Sequence, residues 1–158
     1  MKGATRWLWL SAVVIALDQW TKWLIAGHFE PYQVRMILPV FDLVHAHNRG
    51  AAFSFLNNDA DWPRWFFSAL AVAVSVALVF WLRRLPAVAR LLPAALALII
   101  GGALGNLIDR LRHGYVVDFI QVHWRLHYFP AFNVADSAIT IGACLLLLDS
   151  FRASRRAP

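Results

Sequence analysis

The sequence predicts a mainly α-helical integral membrane protein, with four transmembrane helices and a small β cradle on the extracytoplasmic side. Three observations carry this expectation. The chain has 158 residues, 60% of them hydrophobic and eight of them Trp, more apolar surface than a soluble domain of this size needs. Four segments, 7–26, 65–82, 91–108 and 131–148, approach the ~20 mostly apolar residues of a spanning helix. The basic residues are also sorted. Lys2 and Arg6 precede the first segment, Arg83, Arg84 and Arg90 separate the second from the third, and Arg152, Arg155 and Arg156 end the chain. With four spans all eight fall on one side, which the excess of Lys and Arg makes the cytoplasm. Both termini are then cytoplasmic, and residues 1–158 form one membrane-embedded domain.

This sorting accounts for the net charge of +6, because the other seven basic residues share the opposite half with eight of the nine acids. No basic helix or RNA-binding motif accompanies the charge, so nucleic acid is excluded as a partner. The sole cysteine, Cys144, rules out an intrachain disulfide. Inside an apolar helix its thiol is expected to pack and not to react.

The first segment has a competing reading as a signal peptide, with Lys2 and Arg6 as its basic start and Trp7 to Leu17 as its apolar core. DQWTKW stands where a small-residue cleavage site would be, so retention as a span is expected. Within it, Asp18 and Lys22 are four residues apart and share a helix face. They are either an ion pair that snorkels outward or a polar wall for a site, since intramembrane charges mark function by default.

The outer segment 29–56 contains YQVRMILPVFDLVHAH, rich in strand formers and broken by Pro39. Two short strands around a turn or bulge are predicted. NRGAAFS follows. Gly50 permits a positive φ, Ala51 and Ala52 permit close approach, and the Asn48 amide both donates and accepts. A strand edge here would hold an extended peptide through its backbone; an ordinary outer loop is the alternative. His45 and His47 share a strand face, and His123 and His127 form a second pair. Neither has a carboxylate or cysteine at ligand spacing, and no HExxH helix exists. No metal and no cofactor are expected.

Asp59, Asp61, Trp62, Pro63 and Arg64 form a polar start to the second span, with Pro63 in its first turn. That span is uncharged and reads as scaffold. The third carries Gly101 and Gly105, spaced for close helix packing, then Asn106, Asp109 and Arg110. Asn106 and Arg110 share a face, and a terminal Asp109–Arg110 ion network is expected. YVVDFIQV places Asp118 on a short strand. Asn133 suits a helix N-cap, which puts Asp136 in the first turn, where the dipole favours its charge. Asn133, Asp136 and Thr140 line one stripe.

Two aspartates gathered at a membrane edge suggest an aspartic peptidase. Close like charges hold one proton between them. The ionised member takes a proton from water while the other donates to the scissile carbonyl.

The motifs LDQWTK (17–22), NRGAAFS (48–54), GGALGNLIDR (101–110), VVDFI (116–120) and FNVADS (132–137) together make the chain resemble the lipoprotein signal peptidase family, the type II signal peptidases of bacteria. The resemblance covers nearly the whole length. It implies that Asp118 and Asp136 are the catalytic dyad. It also implies that Asp18, Lys22, Asn48, Gly50, Asn106, Asp109, Arg110, Asn133 and Ala135 bind substrate or support the site. Arg49 stands where a small polar residue is expected. The implied substrate is a prolipoprotein carrying diacylglycerol on a cysteine, cut just before that cysteine. The implied location is the bacterial inner membrane, with the active site toward the extracytoplasmic face. Membrane lipid and cyclic peptide inhibitors of the globomycin type are further implied partners, and nothing demands more than a monomer. Two rivals remain: a proton relay or small transporter using Asp18, Asp109 and Asp136, and a structural membrane protein.

Overall fold

The computed structural model describes residues 4–50 and 62–154; Ala51 to Asp61, and with them most of NRGAAFS, Asp59 and Asp61, lie outside the described residues. After a short turn at Ala4–Trp7 come α1 (Leu8–His28), β1 (Val34–Leu38), β2 (Phe41–Asn48), α2 (Trp62–Arg84), α3 (Leu91–His113), β3 (Val116–Trp124), β4 (His127–Tyr128) and α4 (Val134–Ser154).

Among the described residues, three helices are long and apolar enough to cross a membrane: α2, α3 and the Val134–Arg152 portion of α4. α1 has 21 residues, or ~31 Å of helix, but carries Asp18, Gln19 and Lys22 in its middle. Its buried face consists of Ser11, Val14, Asp18, Lys22 and Ile25, spaced three and four apart as an inward stripe requires. Trp9, Trp20 and Trp23 point outward. Most helix ends differ from the expected bounds, and two of them have a clear local cause. α3 continues to His113 and stops at Gly114, whose positive φ of 81° turns the chain while its N–H bonds the Arg110 carbonyl. α4 starts at Val134 because Asn133 caps it.

α3 is the central helix and packs against the other three. Missing side chains make this possible. A Cβ on Gly101 would lie 2.8 Å from Val14 Cβ of α1, and one on Gly105 would lie 2.8 Å from Asp18 Oδ2. A Cβ on Gly102 would strike the Ala135 carbonyl oxygen of α4, and one on Gly142 would stand 2.8 Å from the Ala95 carbonyl. The Gly101–Gly105 pair anticipated for close packing thus serves α1, while Gly102 and Gly142 serve α4. Side chains from three helices can therefore meet at short range. α2 buries Ser68, Ser75 and Leu82 in one seam, and the rest of it is largely exposed. Cys144 is exposed on α4, so the expected packing role inside the bundle is corrected.

The strands form one antiparallel sheet in the order β1-β2-β3-β4. Pro39 lies in the turn joining β1 and β2, where its missing N–H costs no ladder bond. β2 pairs with β3 in a register that sets Ala46 opposite Asp118 and Asn48 opposite Val116. One further pairing decides the site. Phe132 and Ile120 exchange backbone bonds of 2.8 and 3.0 Å, so the residue just before the cap of α4 is stitched to the strand that carries Asp118.

Candidate active site

Asn133 joins the two aspartates. Its Nδ2 donates to Asp118 Oδ1 at 2.7 Å, and its backbone N–H donates to Asp136 Oδ2 at 3.2 Å. In return, Asp136 N–H donates to Asn133 Oδ1 at 2.9 Å. This reciprocal exchange between the cap residue and the third helical residue has the form of a capping box, with Asp in place of Glu. The remaining oxygens are also occupied: Asn106 Nδ2 donates to Asp136 Oδ1 at 2.7 Å, and Asn48 Nδ2 to Asp118 Oδ2 at 2.9 Å. Every one of these donors is a neutral amide.

Asp118 is 2% exposed. Burial pushes its carboxyl up to about 7, and the nearby Asp136 charge adds to the rise, against the hydrogen bonds from Asn48 and Asn133. Near neutral pH this side chain is poised between its two forms.

The Asn48–Gly50 spacing has a local cause. Asn48 Oδ1 accepts the Gly50 N–H at 3.0 Å while its Nδ2 holds Asp118. Gly50 has φ 140°, and a Cβ there would lie 3.0 Å from Pro63 and 3.1 Å from Phe67 of α2. Only glycine meets both demands. Arg49, between them, is exposed.

A second carboxylate pair lies behind the first. Lys22 Nζ donates to Asp18 Oδ2 at 2.8 Å, Asp109 Oδ2 at 2.9 Å and Asn106 Oδ1 at 2.9 Å, which uses all three of its protons. Asp18 Oδ1 accepts the Ala135 N–H at 2.9 Å and so caps α4 from another helix. Asp109 also accepts from the Val117 N–H at 3.1 Å and from Gln19 Nε2 at 2.7 Å.

One of the two alternatives for Asp18 and Lys22 falls away here, and one expectation is corrected. The Asp18–Lys22 pair does not snorkel: its side chains are 0% and 4% exposed. Asp109 does not pair with Arg110, because consecutive helical residues point ~100° apart and do not face each other. Arg110 instead lies over the Phe67 ring, 5.3 Å from its centroid, within the field of Asp136, Asp118 and Asp109. Sequence reasoning gives Gln19 no part, yet it ties Asp109 to the Gly105 carbonyl. The available signal is an amide in the middle of a span, which is costly without partners. Among the described residues, no three or more His, Cys, Asp or Glu side chains gather as a metal site.

Fold and site together define a membrane-embedded helical protein with a carboxylate pair where its helices meet a small sheet. A family model described as signal peptidase (SPase) II matches residues 10–152. The lipoprotein signal peptidase of Acinetobacter baumannii is 53% identical over 96% of this chain and 86% of its own length. That of Acinetobacter baylyi is 54% identical over 92% and 81%. Two solved bacterial membrane enzymes, both determined by the in meso method, superpose with TM-scores of 0.85 and 0.79. They are 29% and 31% identical to this chain, cover 99% and 92% of it, and are covered over 96% and 92% of their own lengths. The chain belongs to the signal peptidase II family and is a peptidase.

Proposed function

We propose that this chain is an aspartic endopeptidase that removes the signal peptide from diacylglyceryl-modified prolipoproteins, cutting just before the lipidated cysteine. The relatives' shared name supports the substrate class. The observation that carries the chemistry is a pair of carboxylates joined by one asparagine and held by neutral amides alone, one of them pushed up to about 7. Such a pair keeps one proton near neutral pH. The ionised member takes a proton from water as the water oxygen attacks the scissile carbonyl carbon. The protonated member gives its proton to the carbonyl oxygen. Collapse of this tetrahedral species breaks the C–N bond, and the released amine carries the proton away. The pair titrates as a unit, so acid and base belong to Asp118 and Asp136 jointly.

Asn48, Asn106 and Asn133 hold the carboxylates, and Arg110 stands beside them toward the substrate. Asp18, Lys22 and Asp109 fix the start of α4, while Gly50 and the buried Ala135 allow the close approaches. In the proposed topology α1 is the fourth span, with its polar face closed inside the bundle. Both termini are then cytoplasmic, and the site opens at the extracytoplasmic face of the bacterial inner membrane. There the substrate's acyl chains stay in lipid while water reaches the peptide bond. Cyclic peptides of the globomycin type would occupy the same groove. The relay reading is disfavoured because Asp18 and Asp109 are already saturated by Lys22 and backbone donors.

The test is cleavage by purified protein in detergent of a preprotein with and without diacylglyceryl on its cysteine. Cleavage of the lipidated form alone, with the new N-terminus at that cysteine, supports the proposal. Equal cleavage of both forms, or of neither, overturns it.

A further inference from the structure

On the face of β2 opposite Asn48 lies a cluster that the proposed chemistry does not use. His45 Nδ1 stands 2.9 Å from the Phe29 carbonyl oxygen, and His45 Nε2 stands 3.2 Å from His47 Nε2. A carbonyl only accepts, so the proton of His45 is on Nδ1. Its Nε2 is then the acceptor for the Nε2–H of His47. His47 stacks on Tyr115, with centroids 3.9 Å apart, and Tyr32 and His113 extend the column. Tyr32 holds a positive φ of 65°, its N–H bonded to the His45 carbonyl at 2.8 Å. Such a conformation is uncommon outside glycine and persists only where its surroundings enforce it.

The column joins three pieces of chain: the end of α1 through Phe29, the α3–β3 junction through Tyr115, and β2. The next residue after His47 is Asn48, whose amide holds both Asp118 and the Gly50 turn. We propose that His47, through its hydrogen bond to His45 and its stack on Tyr115, is a positioning residue that fixes Asn48 against Asp118 from behind the sheet, and that this hold fails in acid. This rests on the peptidase reading only for its effect on catalysis.

The acid limit follows from the neighbours. The described groups facing His47 are His45 on its own strand, Arg49 beyond Asn48, His113 at the end of α3, and Tyr32 and Tyr115. None of these is a carboxylate that would welcome a cation. Burial holds the His47 imidazole below its ordinary value, and the neighbouring His45, Arg49 and His113 lower it further. The neutral ring is therefore favoured by the fold. The stability it lends is complete above the ordinary histidine value of ~6.5 and is lost as pH falls through the lowered folded value. A second proton, on His45 Nε2, would set two N–H groups facing each other.

Two variants separate the parts. His47→Gln keeps an N–H donor toward His45 and does not titrate. His47→Phe keeps the stack on Tyr115 and loses the donor. Both are followed between pH 4.5 and 8 by thermal unfolding and by kcat and KM on a lipidated preprotein. The expected result is that His47→Gln, which keeps the donor and loses the stack, shows a partial loss of kcat at pH 7.5 and loses less further stability and kcat below pH 6 than the parent does. His47→Phe should lower kcat at pH 7.5 by about tenfold or more, as small misplacements of catalytic groups do, with KM little changed. Superposable pH profiles for parent and His47→Gln would overturn the acid limit. Parental kcat in His47→Phe would overturn the positioning role. The unfolding comparison is repeated in an Asp118→Asn background, where the effect of adding His47→Gln should persist. It needs no cleavage, so failure of the peptidase reading cannot be mistaken for failure of this one.

Discussion

The chain gathers two pairs of aspartates close together, Asp18, Asp109 and Asp118 buried and Asp136 half-buried, and treats them oppositely. Asp18 and Asp109 share an ammonium: Lys22 gives one proton to each and a third to Asn106. Asp118 and Asp136 receive only neutral amides, from Asn48, Asn106 and Asn133 and from one backbone N–H. Among the described residues neither makes an ion pair. The difference separates a pair held by a cation from a pair held by amides. A buried carboxylate bonded to a cation is fixed in place by it. A buried carboxylate with amides alone competes with its neighbour for one proton, as Asp118 does at about 7. Asn106 links the two regions, accepting from Lys22 and donating to Asp136.

The contrast can be broken most directly at the amide-held pair. Asp118→Asn or Asp136→Asn should lower cleavage of a lipidated preprotein by about a thousandfold or more while the protein stays folded. The double variant should be little worse, because residues acting as a unit are not additive. Independent, multiplying losses in the kinetics would refute a shared proton. The next effect belongs to the cation-held pair. Lys22→Met leaves Asp18 and Asp109 buried without a counter-charge and should cost about 3–5 kcal/mol of stability, read by thermal unfolding. By contrast Asp18→Ala should retain measurable cleavage and lose mainly stability; if it is inactive yet melts like the parent, Asp18 joins the catalytic group.

The pH dependence sharpens the same comparison. Because the Asp118 carboxyl is raised in the fold, its protonated form contributes stability that is full below its ordinary value of 3.8 and is lost as pH rises through about 7. Asp118→Asn removes that loss. It should stabilise the protein at pH 8 relative to pH 4, by up to about 4 kcal/mol; a constant offset across this range in unfolding experiments would show that Asp118 is not perturbed. The smallest effect is expected at the helix contact that carries Asp136 to its place. Gly102→Ala drives a methyl against the Ala135 carbonyl, and should cost about 1–3 kcal/mol and lower kcat in steady-state assays.

Much of this is legible in residue order because its causes are local. The helices follow from apolar length. Asn133 and Asp136 follow from the three-residue spacing of a capped helix start, and Asn48 and Gly50 from a turn that only glycine completes. The function is legible through five short motifs, each of them a fragment of the site. Residue order does not say which groups pair across the chain. Asp109 and Arg110 are neighbours in sequence and point apart on a helix, while Asp109 and Lys22 are distant in sequence and bonded. Gln19 looks like a passenger beside Asp18 until α3 supplies Asp109 and the Gly105 carbonyl. His45 and His47 show no ligand pattern, and their meaning depends on Tyr115 arriving from the far side of α3.

Residue order alone thus specifies the kinds of element, the two aspartates, and the turns and caps that present them, because these depend on contacts within a few residues. Which aspartates receive a cation and which receive amides emerges only when the helices close. That outcome rests on Gly101, Gly102 and Gly105 letting α1 and α4 approach α3, and on Phe132 pairing with Ile120. Hydrogen bonds act only within about 3 Å, and only the packed chain sets those distances.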